Sequence, residues 1–174
     1  MRPSPLQHII VLAFCLSVVE GNERLQLSDF EDAGSLRLWG KPDNAQLVSE
    51  RVTQGKQALK VTLSKGLVAG TWSRLPKDWS KYDHLRIDFH NPGKLVKLAV
   101  RFKDGSGKGY DLWNYEIPTG PHRAAFDLKK ISSRINLSDM RQFWFHDSAK
   151  PNPPAILYLD NVRLTSGIFI PPPP

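Results

Sequence analysis

The chain has 174 residues, a formal net charge of +7 and a single cysteine. That length holds one domain of ordinary size. Hydrophobic residues at 40% argue against wholesale disorder, and one cysteine excludes an internal disulfide scaffold.

Residues 1–21 read as a secretory signal peptide. Arg2 supplies the positive start, Ile9 to Val19 is a mostly apolar run, and small residues follow at Val19 and Gly21. As a helix that run rises only about 16 Å, too short for a hydrocarbon core of roughly 30 Å. Cys15 lies inside it and follows Phe14, which does not suit a lipoprotein site. A mature chain starting near Asn22 therefore has no cysteine, and the reading is a secreted protein, extracellular or periplasmic.

Residues 22–165 show no composition break and read as one domain. Their dominant period is two. ALKVTL offers Leu59, Val61 and Leu63 to a core, and HLRIDFH offers Leu85, Ile87 and Phe89 while turning Arg86, Asp88 and His90 outward. Asn91-Pro92-Gly93 breaks that strand. The next run places Val96, Leu98, Val100 and Phe102 inward and Lys97, Ala99, Arg101 and Lys103 outward. The Gly-rich segment Asp104 to Gly109 then predicts a hairpin with YDLWNYEI, in which Trp113 and Tyr115 share a face. Ala124, Phe126 and Leu128 return to the core. In QFWFHD, Phe143 and Phe145 point inward, while Gln142, Trp144 and His146 point outward.

The last strand is ILYLDNVRL, and residues 166–174 form a Pro-rich tail. Short helical turns fit Leu128 to Ile131 and Leu137 to Met140, and no long helix is written. Eight or nine short strands predict an all-β sandwich, a single-domain jelly roll.

Enzyme motifs are absent from the sequence. DGSGKG fails as a phosphate loop, with Phe102 and Gly109 where Gly and Ser or Thr are needed. It also fails as a calcium loop, with Lys108 and Tyr115 at two liganding positions. The histidines make no zinc spacing, and there is no nucleophile elbow. Asp88, Asp111 and Glu116 are the outward carboxylates. Asn136-Leu137-Ser138 is a glycosylation sequon that matters only in a eukaryote.

The order of landmarks, Phe30-Glu31, GKQALKVTL, DWSKYDHLRIDFHNP, VRFKDG and LYLDNVRL, resembles the jelly-roll carbohydrate-binding modules of secreted polysaccharide-degrading systems, within the galactose-binding-like fold. The resemblance covers roughly Leu25 to Leu164. A related domain occurs in a respiratory-complex assembly factor, so the fold alone does not fix a ligand. The resemblance implies a structural Ca2+ between Glu31 and Asp160, with backbone oxygens near Gly55 and Lys56 as further ligands. It also implies sugar-stacking aromatics on one sheet face.

Outward Trp144 and Trp113 are the expected stacking residues, with Arg86, Asp88, His90, Arg101, Gln142 and His146 serving the hydroxyls. A one-residue slip would bury Trp144 instead. Trp39, Trp72 and Trp79 are expected to be packing residues.

These readings imply a non-catalytic protein that binds a polysaccharide, either a neutral β-glucan or xylan through the aromatics or an acidic glycan through the basic stripe. Docking onto a catalytic partner is a further expectation. The alternatives are a structural or protein-interaction domain, and a small glycan lyase or hydrolase built on Asp88, His90, Arg101 and His146. Nucleic acid is a poor candidate, because no motif for it is present.

Overall fold

The computed structural model describes residues 23–39, 43–64, 68–71, 75–147 and 154–167. The signal-peptide reading, Trp72 and the terminal prolines lie outside the described residues. Among the described residues, ten strands form two antiparallel sheets stacked as a sandwich. The larger sheet contains β2 (Ala45–Val48), β3 (Ala58–Leu63), β10 (Ala155–Thr165), β5 (His84–Asn91) and β8 (Gly120–Asp127), in that order, with β1 (Arg24–Ser28) also paired to β10. The smaller sheet runs β4 (Val68–Thr71), β9 (Met140–Asp147), β6 (Val96–Asp104) and β7 (Gly109–Ile117).

Period-two alternation decides which side chains meet between the sheets. Leu85, Ile87 and Phe89 from one sheet, and Leu98, Val100, Phe102, Phe143 and Phe145 from the other, are all buried. Aromatic pairs bridge the layers: Phe89 meets Phe145 at 5.9 Å between ring centroids, and Phe102 meets Phe126 at 6.1 Å. Trp39 fits edge-on between Phe30 and Phe143. Trp79 is buried and donates its indole N–H to the Pro76 carbonyl at 2.7 Å. Both tryptophans are packing residues, as expected.

Two of the corners at which the chain changes sheet, β5–β6 and β7–β8, lie side by side. Asn91 is buried there, and its amide donates to the Lys94 carbonyl at 2.8 Å and the Ile117 carbonyl at 3.0 Å. This one side chain ties the β5–β6 corner to the β7–β8 corner. The Asp104–Gly109 segment closes the β6–β7 hairpin, its turn held by the Asp104 carboxylate, which accepts from the Ser106 hydroxyl and the Lys108 N–H.

Two short helical turns fall where they were expected, α2 (Leu128–Ser132) and a 3-10 turn at Leu137–Asp139. Asp127 caps α2, and Asn136 caps the 3-10 turn. One helix was not foreseen: α1 (Ala33–Trp39), seven residues whose amides Gly34 and Ser35 are accepted by Asp32. Among the described residues no helix is long and apolar enough to cross a membrane.

Candidate functional site

The outer face of the smaller sheet brings together the aromatic half of the expected site. In register across β4, β9, β6 and β7 stand Gly70, Trp144, Arg101 and Asp111. Phe143 and Phe145 are buried, so the slip that would have hidden Trp144 does not occur. The Arg101 guanidinium lies over the Trp144 ring, 5.6 Å from its centroid. Asp111 holds Arg101 through two short hydrogen bonds, to Nε and to the NH2 terminus. That pairing pushes the guanidinium up from its ordinary value, against a smaller opposing effect of burial.

One row along, Ala99 faces His146 on β9. On the other side the register with β7 jumps, because Leu98 pairs with Tyr115 and Val100 with Leu112. Trp113 and Asn114 therefore both oppose Ala99, in a β-bulge, with Asn114 at φ 59°. The small Ala99 leaves room for the Trp113 and His146 rings to meet above it edge-to-face, 6.1 Å between centroids. Trp113 stands 58% exposed on the surface. Gln142, opposite Lys103, completes this face.

The bulge corrects the expectation that Trp113 and Tyr115 share a face. Tyr115 turns inward, packs on Phe126 at 4.8 Å, and its hydroxyl lies 3.2 Å from His122 Nε2. Tyr110 likewise packs against the core.

Arg86, Asp88 and His90 do not join Trp144. They project from the outer face of the larger sheet, on the opposite side of the sandwich. Alternation gives the face of a strand but not the sheet it enters, so adjacency in sequence was misread as adjacency in space. The tetrad Asp88, His90, Arg101 and His146 is split the same way and cannot act on one bond. Asp88 is buried, accepting from the Asn161 amide at 2.9 Å and the Thr53 hydroxyl at 3.2 Å. His90 packs edge-on against Tyr158 at 6.1 Å. Its pKa is depressed by burial and by Arg51.

Glu31 and Asp160 grip one loop from its two ends. Asp160 Oδ2 accepts from the Thr53 N–H at 2.6 Å, the Thr53 hydroxyl at 2.9 Å and the Gln54 N–H at 2.8 Å, and Oδ1 accepts from its own neighbour Asn161 N–H. Glu31 Oε1 accepts from the Lys56 and Gln57 N–H groups, which hold its carboxyl below the usual range. A calcium ion needs six to eight converging oxygens. Here the loop presents N–H donors, and no group of three or more metal-ligating side chains occurs among the described residues. The loop's amides occupy Glu31 Oε1 and Asp160 Oδ2, one oxygen of each carboxylate.

Sequence reasoning missed Gly70, Ala99 and Asn114 as determinants of the aromatic face. An Asn inside an otherwise regular strand was the available signal for a bulge.

No family model and no curated protein matches the sequence. Solved structures do match in fold. A family 11 carbohydrate-binding module from Clostridium thermocellum, in complex with a β-1,3-1,4-mixed-linked tetrasaccharide, aligns at 16% identity over 83% of this chain and 96% of its own, with a TM-score of 0.59. A family 30 carbohydrate-binding module aligns at 15% identity over 87% of this chain and 92% of its own, with a TM-score of 0.60. An exo-β-agarase aligns at 18% identity over 86% of this chain but only 25% of its own, with a TM-score of 0.60. The chain thus has the jelly-roll sandwich fold of carbohydrate-binding modules, over nearly the whole length of the modules it matches.

Proposed function

We propose that this chain binds a neutral polysaccharide, of β-glucan or xylan type, along the outer face of the β4–β9–β6–β7 sheet, without transforming it. The observation that carries the reading is Trp113, 58% exposed yet fixed by a bulge and by His146, one row from Trp144. Sugar rings present apolar C–H faces, and a rigid indole gives them a flat surface at little cost in conformational entropy. Arg101, held by Asp111, and His146 lie within the same two rows, Gln142 lies in the next, and all three serve hydroxyls.

Neutral ligand is favoured over acidic at this face because its basic stripe is largely balanced. Lys97 pairs with Glu116 at 3.2 Å, and Arg101 pairs with Asp111. Export through residues 1–21 belongs to the same proposal and supplies the compartment where such polymers occur.

Affinity electrophoresis of residues 22–174 in gels containing mixed-linkage β-glucan or xylan tests it. Trp113→Ala and Trp144→Ala should each weaken retardation about tenfold or more, the size expected of an aromatic anchor. Raising salt should change little. Parent-like retardation of Trp113→Ala would overturn the site. No retardation of the parent by any polymer would favour the protein-interaction alternative.

A further inference from the structure

The larger sheet carries a different chemistry on its outer face. Arg163 on β10 and Arg86 on β5 are direct partners in the strand register. Each is flanked in its strand by core residues, Val162 and Leu164 or Leu85 and Ile87, so both guanidinium groups leave from the same side. Arg123 on β8 faces Asp88 and is exposed, while Arg24 lies on β1 beyond β10. Four arginines thus span four adjacent strands, an interval of ~14 Å at the usual strand spacing.

Like charges placed directly opposite in neighbouring strands are destabilising. The guanidinium groups act on one another here. The Arg163 guanidinium is pushed down by burial and also by Arg24 and Arg123, with Asp88 opposing, and Arg86 is pushed down by burial and by Arg163.

Neutral oxygens make the shortest contacts to two of these arginines. Arg24 donates to the side-chain oxygens of Gln26 at 2.7 Å, Gln54 at 2.9 Å and Asn161 at 2.8 Å. Arg163 donates to the Asn161 carbonyl at 2.7 Å and reaches Asp88 only at 3.5 Å. Of the carboxylates in these rows, only Asp88 pairs with an arginine of the cluster, Arg163, and it is shared with other donors. Asp160 is saturated by the 53–57 loop, and Asp88 accepts from Asn161 and Thr53. Amide oxygens fix Arg24 in place without cancelling its charge, and the one buried Asp88 carboxylate stands among Arg86, Arg123 and Arg163. On the opposite sheet, by contrast, acidic partners on β7 answer the basic stripe.

We propose that Arg24, Arg86, Arg123 and Arg163 form a second binding surface, for the oxyanion groups of an acidic polysaccharide. Guanidinium forks match sulfate and carboxylate groups two bonds at a time. A ~14 Å span is too wide for one such group and suits a polymer that bears them at intervals.

The probe is dextran sulfate, with unsulfated dextran as its backbone control. Arg86→Gln combined with Arg123→Gln removes two charges and keeps the Arg163–Asp88 pair, whereas Lys97→Gln with Lys103→Gln removes two from the other sheet. The first double variant should lose about tenfold in retardation by dextran sulfate at low salt, and the second should stay within about twofold of the parent. Arg123→Glu, a single change at an exposed position, should act in the same direction if the double variant folds poorly.

Equal losses in both double variants would overturn the proposal, reducing it to net charge. So would parent-like retention of the first variant, or binding of polyglutamate as tight as dextran sulfate at matched charge. Binding of the first double variant to mixed-linkage β-glucan, measured beside it, should equal the parent's. Failure here is therefore separable from failure of the aromatic face.

Discussion

Asp160 is 1% exposed and accepts hydrogen bonds from the Thr53 and Gln54 amides, the Thr53 hydroxyl and the Asn161 amide. Replacing it with Ala would leave the buried Asn161 N–H unanswered, at about 1–3 kcal/mol, and release the Thr53 and Gln54 amides of an exposed loop. Urea denaturation of Asp160→Ala should show a loss of about 1–3 kcal/mol, and Glu31→Gln, at an exposed carboxylate, much less. Chelator should leave the melting temperature of the parent where it was, and added calcium should not raise it. A rise with calcium would mean that the loop turns its carbonyls inward after all. The nearness of these acids to the loop followed from the family resemblance, and the loop amides as their partners did not. That partnership depends on which way each peptide unit of residues 53–57 faces, and side-chain pattern does not encode it.

Among the elements, β4 depends on a residue without a side chain. A Cβ on Gly70 would overlap the Trp144 Cα and the Phe143 carbonyl, and its backbone has φ 154°. Gly70→Ala should therefore cost about 2 kcal/mol or more and loosen β4 from β9. Hydrogen exchange at Ala69 and Thr71 should rise well before the rest of the sheet, and uniform protection would contradict this account. The alternation of Phe143, Trp144 and Phe145 was readable because period two is strict wherever one face is buried. The break at Trp113 and Asn114 was not, since a bulge inserts a residue and inverts everything after it. For a different reason Arg86, Asp88 and His90 were placed on the right face of their strand and on the wrong side of the molecule. The chain crosses between sheets at Asn91, a fact of corner geometry that no strand announces.

At the scale of the whole molecule, His84, His90 and His122 all have pKa values pushed below the ordinary 6.5, chiefly by burial. Arg86 adds to the depression of His84 while Asp127 and Asp83 oppose it, and Arg51 adds to that of His90. A histidine with a depressed folded value binds more protons when unfolded. Its contribution is therefore complete above about pH 6.5 and is lost as pH falls below that toward the folded value. Thermal midpoints should decline from pH 7 to pH 5, and His122→Gln should flatten part of the decline. A flat profile in the parent would show that these groups protonate freely in the folded state.

The two sheets stand back to back, about 10 Å apart, as packed sheets do. A chain laid on one outer face is screened by the full hydrophobic layer from a chain laid on the other, so the two neither compete nor touch. A particle that grips one polymer with indoles and another with guanidinium groups behaves as mortar between unlike fibres. Its bulk signature would be mechanical: a mixture of neutral and sulfated polysaccharide should stiffen on its addition, while either polymer alone should not.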